Sequence, residues 1–199
     1  MRILTVMLVL LLAGCAAAPN DDEISARALK ILKASFSERG QAKLDRLDQD
    51  ETQKLCSAAP VSKDAAVHIE KVNAALIVYP KDGRLMGDWR EGEKIAQSGI
   101  GKQYSDDPKR PAGGNCYACH QVSKQEISFG TIGPSLYNYG KLRGASEAVQ
   151  RYTYGKIYNA QAYSACSNMP RFGHNGVLTE RQIKHLVALL LDPASPANQ

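Results

Sequence analysis

The sequence predicts an all-α protein, and two observations carry that reading. Apolar residues recur at helical spacing in several windows, most clearly over residues 179–192, where Ile183, Leu186, Val187 and Leu190 form one stripe. Alternating apolar and polar residues, the mark of half-buried strands, are nearly absent. The helical windows are separated by glycine- and proline-rich loops, and one of these holds a cysteine–histidine motif at residues 116–120.

Taken in order, residues 1–14 read as an export signal. Arg2 precedes an apolar run from Ile3 to Leu12 that is too short to span a bilayer as a mature helix. Its end, Leu12-Ala13-Gly14-Cys15, resembles a bacterial lipobox. That resemblance implies cleavage before Cys15, acylation of its thiol and of the new amino group, and a periplasmic protein anchored to a membrane by lipid. Two or three acyl chains anchor stably where one does not. The alternative, an ordinary signal peptide cut near Ala17 or Ala18, gives Cys15 no role.

Residues 20–36 carry Ile24, Ala28, Ile31 and Leu32 at helical spacing, with Asp21, Asp22 and Glu23 at the positive end of the dipole. Residues 41–57 read as a second, very polar helix with Leu44, Leu47 and Leu55 on a thin stripe, and residues 62–75 as a third. A turn at residues 79–84 closes this region. Residues 15–80 are therefore expected to form an anchor and helical extension, and residues 81–199 a second domain. Within the latter, residues 89–98 read as a helix, residues 130–144 as turn-rich, and residues 146–160 as a helix capped by Ser146. Thr179 and Gln182 form a capping box at the start of the last helix.

The motif Cys116-Tyr117-Ala118-Cys119-His120 stands in a chain with five cysteines and four histidines, which leaves little room for accident. Zinc needs further ligands at comparable spacing, and Cys15, Cys56 and Cys166 are single and far apart. A redox dithiol needs a βαβ setting and leaves His120 unexplained. Covalent haem attachment uses every residue: Cys116 and Cys119 bond one porphyrin, one haem c per chain, and His120 ligates the iron.

Candidates for the sixth iron ligand are Met86, Met169, His68, His174 and His185. Met169 stands 49 residues after His120, just before the last helix, with Pro170 stiffening its loop. It is the expected ligand; a core methionine filling a gap is the plain alternative. The Met86 turn precedes the motif, His174 lies in a glycine-flanked turn expected to be exposed, and a helical His185 is more commonly packed than ligating. An anchor at Cys15 and a haem on Cys116 and Cys119 leave Cys56 and Cys166 as an even pair in an oxidising compartment. A disulfide between them is expected, with two buried free thiols as the alternative.

The net charge is +5, or +4 without Arg2. Residues 121–199 hold eight Lys/Arg against four Asp/Glu, among them Lys141, Arg143, Arg151, Lys156 and Arg171. A basic surface near a haem serves an acidic protein partner; nucleic acid is not expected as a partner of an exported lipoprotein.

The order of helix, haem motif, irregular middle, methionine loop and final helix is the layout of a class I cytochrome c, here with an N-terminal helical extension. In that class a proline carbonyl takes the second ring proton of the haem histidine, and Pro134 in "TIGPSL" resembles that residue; a turn proline is the alternative. The segments "GNCYACH", "GTIGPSLYNYG" and "CSNMPRFGHNG" resemble SoxX, the monohaem cytochrome subunit of the SoxAX complex, over about residues 88–195. The resemblance implies part of an L-cysteine S-thiosulfotransferase that couples thiosulfate oxidatively to a cysteine of a SoxYZ carrier. The catalytic haem is then expected on a SoxA partner, and this chain, with no catalytic residue of its own, relays electrons to a small acceptor cytochrome. A free-standing class I electron carrier of another respiratory chain is the other reading.

Overall fold

The computed structural model describes residues 20–58 and 60–199. Cys15 lies outside the described residues. The chain forms two units, Met1–Ser37 and Glu38–Gln199. The expected boundary at residue 80 is not the division between them: the segment from residue 38 onward belongs to the larger unit.

In the first unit, α1 spans Asp21–Ser35 and is opened by a reciprocal cap. Asn20 Oδ1 accepts from the Glu23 N–H at 2.9 Å and Glu23 Oε2 accepts from the Asn20 N–H at 3.2 Å. Its apolar residues Ile24, Ile31 and Leu32 are exposed.

The larger unit is helical, with no strand among the described residues beyond one isolated bridge between Arg39 and Ala42. Where one polar helix is expected over residues 41–57, there is a 3₁₀ turn, Leu44–Leu47, followed by α2, Glu51–Ser57. The break has a local cause. Asp50 Oδ1 accepts from the Gln53 N–H at 2.8 Å and Gln53 Oε1 accepts from the Asp50 N–H at 2.9 Å, so a new helix starts there. α3 follows at Lys63–Ala75, capped by Ser62.

The haem-motif half contains α4 (Trp89–Gln97), α5 (Tyr139–Arg143), α6 (Glu147–Tyr158) and α7 (Glu180–Leu191). α4 and α7 form the most extensive helix pair. A Cβ on Gly92 would collide with the His185 carbonyl and stand 2.9 Å from Leu189 Cβ, so the helices approach this closely because position 92 has no side chain. The same crossing sets the start of α4: His185 Nδ1 accepts from the Asp88 N–H at 2.8 Å. His185 is thus half-buried in the helix crossing.

The stripe Ile183, Leu186, Val187 and Leu190 is buried, but so are Ala188, Leu189 and Leu191. The far side of α7 is covered by α5, α6 and the C-terminal turn. Asn198, fully buried, donates to Leu190 O at 3.1 Å and Asp192 O at 2.9 Å, and accepts from the Gly140 N–H at 2.9 Å. One side chain therefore satisfies the end of α7 and holds α5 against it.

The segment 38–80 joins the rest mainly through polar and covalent ties. Asn73, fully buried, donates to Thr52 Oγ1 and Ile69 O, both at 2.8 Å, and accepts from Asn159 Nδ2 at 3.0 Å. Cys56 and Cys166 are disulfide-bonded, with Cα atoms 5.3 Å apart. Arg171 Nη2 donates to Asp50 Oδ2 at 2.6 Å. Burial opposes the charge of Asp50, yet the Gln53 N–H and Arg171 outweigh it and hold the carboxyl below its ordinary value.

Gly92→Val should cost about 1–3 kcal/mol of unfolding free energy or more, because the added methyls must push α4 off α7. Urea unfolding followed by circular dichroism measures it, and wild-type stability in the variant would refute the close-packing argument.

Candidate haem site

Residues 113–115 are stitched to the end of α4. Gly113 N–H donates to Ile100 O at 2.6 Å, Gly114 N–H to Ile95 O at 2.8 Å and Asn115 N–H to Ser98 O at 3.0 Å. Asn115 takes a left-handed φ of 45°, a conformation asparagine tolerates, and turns the chain into the 3₁₀ turn Cys116–Ala118. Cys119 and His120 N–H both donate to Cys116 O, at 3.1 and 2.9 Å. The motif is thereby wound into one tight turn with both thiols unpaired.

The residue between the thiols anchors that turn. Tyr117 is buried, and its hydroxyl lies 3.0 Å from both Glu93 Oε1 on α4 and Ser123 Oγ. The sequence offers Tyr117 as one of several aromatic residues near the motif; only the fold turns it into the core. Glu93 Oε2 is buried without a hydrogen-bond partner, and burial foremost raises that carboxyl's pKa.

His120 Nδ1 lies 2.7 Å from Pro134 O. A carbonyl only accepts, so Nδ1 carries the proton and Nε2 keeps its lone pair for a metal. Pro134 is positioned by a segment that folds back on the motif: Gly130 N–H donates to Tyr117 O at 2.8 Å and Gly133 N–H to Cys119 O at 2.9 Å. A Cβ on Gly133 would collide with His120 Cε1 and stand 2.5 Å from Nδ1, so the imidazole lies flat against bare backbone.

These features fit a covalent haem. Two free thiols and a metal-ready imidazole sit on one turn, and Ile132 beside Gly133 is 76% exposed, an apolar surface suited to a porphyrin face. The rival uses of the motif fit less well. Burial pushes the Cys116 thiol up to about 12, opposite to the lowered pKa of a redox dithiol. Among the described residues no three His, Cys, Asp or Glu side chains converge as a zinc site requires.

Met169 lies in the loop between the disulfide and α7, partly buried against the main core, with its N–H donating to Ser167 Oγ at 3.2 Å. Met86 packs on the same core, but its neighbour Gly87 is tied to Lys184 O at the start of α7 by a 2.9 Å bond. His68 pairs with Glu51 at 3.0 Å. His174, expected to be exposed, is half-buried, and burial first and Arg171 second lower its pKa.

Of the basic residues expected to form a docking surface, Arg171 is buried on Asp50 and Lys156 is partly buried with Nζ 3.3 Å from Ala160 O, whereas Lys141, Arg143 and Arg151 are exposed, Arg151 lying over the Tyr79 ring at 3.8 Å. A cleft with a basic excess occurs elsewhere, where Lys102, Lys109, Arg110 and Arg181 outnumber Asp107 beside Ala112 and Val177. It brings the loop before the motif together with the approach to α7. The sequence obscures it because Asp106 and Asp107 stand among those cations. In the fold Asp106 is turned onto its own loop, accepting from the Gly101 N–H at 2.8 Å.

Fold and site together define a c-type cytochrome. The family model for cytochrome c matches residues 88–192, and the chain belongs to the cytochrome c family, whose members hold haem c covalently and transfer electrons. An uncharacterized lipoprotein of Aquifex aeolicus (strain VF5) is 42% identical over 158 residues, covering 76% of this chain and 73% of that protein. Among the described residues no helix is long and apolar enough to cross a membrane.

Gly133→Ala should force the His120 ring away from Pro134 and lower the yield of chain carrying covalent, low-spin haem. Met169→Ala should abolish the ferric methionine–iron charge-transfer band. If Met86→Ala removes that band and Met169→Ala does not, the ligand is Met86.

Proposed function

We propose that this chain is the electron-relaying, SoxX-like subunit of a thiosulfate-oxidising SoxAX-type complex. Electron transfer as such follows from the family. The observation that supports the site is the His120 Nδ1 to Pro134 O bond, which readies Nε2 for iron. The finer assignment rests on the resemblance of "GTIGPSLYNYG" and "CSNMPRFGHNG" to SoxX.

When bound, the haem accepts and releases one electron at a time. Cys116 and Cys119 would hold it by thioether links and His120 and Met169 would ligate its iron, while Pro134 O fixes the tautomer of His120. A Met/His pair raises the potential, which suits an acceptor. In the reaction assigned to the complex, a carrier thiol and thiosulfate join through a new S–S bond with release of one proton and two electrons. No residue of this chain touches thiosulfate. The cleft of Lys102, Lys109, Arg110 and Arg181 is suited to a transient, salt-sensitive encounter with an acidic acceptor cytochrome. A SoxA-like partner requires a larger, partly apolar interface.

Localisation is proposed on the same footing. The lipobox-like run ending in Cys15 and the lipoprotein relative support a periplasmic protein anchored to a membrane by lipid. Labelled fatty acid should enter the wild-type chain and be absent from Cys15→Ser; a mature chain that starts at Ala16 or later would refute the anchor.

Purified alone, the holoprotein should not turn over thiosulfate. Combined with a SoxA-like cytochrome and a thiol carrier, it should form a stable heterodimer and have its haem reduced by thiosulfate. A haem that stays oxidised in the reconstituted pair would return the chain to the reading of a free-standing electron carrier.

A further inference from the structure

The short helix α2 touches the methionine loop at both of its ends. At its N-cap, Asp50 Oδ2 accepts from Arg171 Nη2 at 2.6 Å. In its last turn, Cys56 is bonded to Cys166. Cys166 stands three residues before Met169 and Arg171 two residues after it. A rigid element of about two turns therefore spans the loop segment that presents Met169.

The two attachments are well constrained. The Asp50 carboxylate uses both oxygens: Oδ1 caps α2 through the Gln53 N–H at 2.8 Å, and Oδ2 holds Arg171. The charge pair is thus locked to the helix axis. Arg171 is 7% exposed, and its carbonyl accepts from the Asn175 N–H at 2.9 Å, which fixes the backbone just beyond Met169. On the other side, Cys166 adopts φ 57°, a left-handed conformation that a non-glycine residue keeps only when its surroundings impose it. Those surroundings include the disulfide, Glu70 Oε1 accepting from the Ala165 N–H at 3.2 Å, and Gln161 Nε2 donating to Ser167 O at 2.9 Å.

We propose that α2 is a splint that presets Met169 as the sixth iron ligand, with Asp50 and Arg171 as its positioning residues. The inference rests on Met169 being that ligand. Its physical basis is entropy. A methionine loop free at both ends must be ordered each time the sulfur binds, whereas a loop pinned on both sides has already lost that freedom when the protein folds. Small external ligands then compete with a preorganised thioether.

The test uses the full-length ferric holoprotein and imidazole as the competing ligand. The readouts are the methionine–iron charge-transfer band, the imidazole affinity and the midpoint potential. Asp50→Asn keeps an N-cap side chain on α2 while removing the charge that faces Arg171. It is expected to raise imidazole affinity about tenfold or more and to lower the midpoint potential, with covalent haem and helix content unchanged. Arg171→Met should do the same, and the double variant should be no worse than either single one. Should Arg171→Met fail to fold, Asp50→Asn and Arg171→Lys carry the test. Glu51→Gln, which removes the exposed pair between α2 and His68 of α3, should change nothing.

Met169→Ala separates the two ideas. If it leaves the band and the imidazole affinity unchanged, the ligand assignment fails. If it abolishes the band while Asp50→Asn and Arg171 variants behave as wild type, the ligand stands and the splint is wrong. An equal effect of Glu51→Gln would also overturn the splint, since general loosening of α2 would then suffice.

Discussion

The contact between α4 and α7 at Gly92 organises the haem-motif half of the molecule. α4 ends where the motif loop begins, and residues 113–115 hydrogen-bond to its last turn. α7 begins where the methionine loop ends, and its N3 residue, Gln182, donates to Ala112 O at 2.6 Å in the loop before the motif. The His120 and Met169 segments are thus spaced by one helix crossing. A larger residue at position 92 would shift the His120 and Met169 segments relative to each other, not merely loosen a core.

The attachment of residues 38–80 has a different physical character. The main apolar core draws on residues from 85 onward, while the segment before it contributes mostly partly buried side chains. Its ties include the Asn73–Thr52–Asn159 group, one disulfide and the pair of exposed Asp50 with buried Arg171. Such contacts are directional. They lose their worth when misaligned by an ångström or so, where apolar packing would slide. A directional clamp suits a segment whose neighbour is the loop that carries Met169, the proposed sixth ligand. The disulfide also closes a chain segment of 110 residues, which in the chain-entropy account contributes about 4–5 kcal/mol.

Electrostatics at the surface follows placement, not composition. Two cations of residues 121–199 are taken up internally, Arg171 by Asp50 and Lys156 by a backbone carbonyl, while Arg143 and Arg151 lie exposed over tyrosine rings. The cations that gather on an open cleft come largely from the loop before the motif, next to Asp106 and Asp107, which offset most of that charge in a linear count. Asp107 stays on the cleft, and Asp106 is turned onto its own loop.

Local rules determined a good deal. The 3.6 period of α7, the capping boxes at Asn20 and Thr179, and the motif at residues 116–120 are short-range features that act within one turn of chain. The pairing of Cys56 with Cys166 was legible from parity because two remaining thiols in an oxidising compartment have one partner each. Even the Pro134 carbonyl was foreseeable, though only as one of two readings. Other features required the chain to be closed in space. The break before α2 is set locally by the Asp50–Gln53 box, but the second task of that carboxylate, holding Arg171 121 residues away, is not. Tyr117 becomes an anchor only once α4 brings Glu93 to it, and Asn198 becomes a helix cap only once the C-terminus folds back on α7. The physical reason is common to all of these. A polar side chain's partner in a folded protein is set by burial, which forces satisfaction of each buried group, and burial is a property of the assembled fold that no local window of sequence contains.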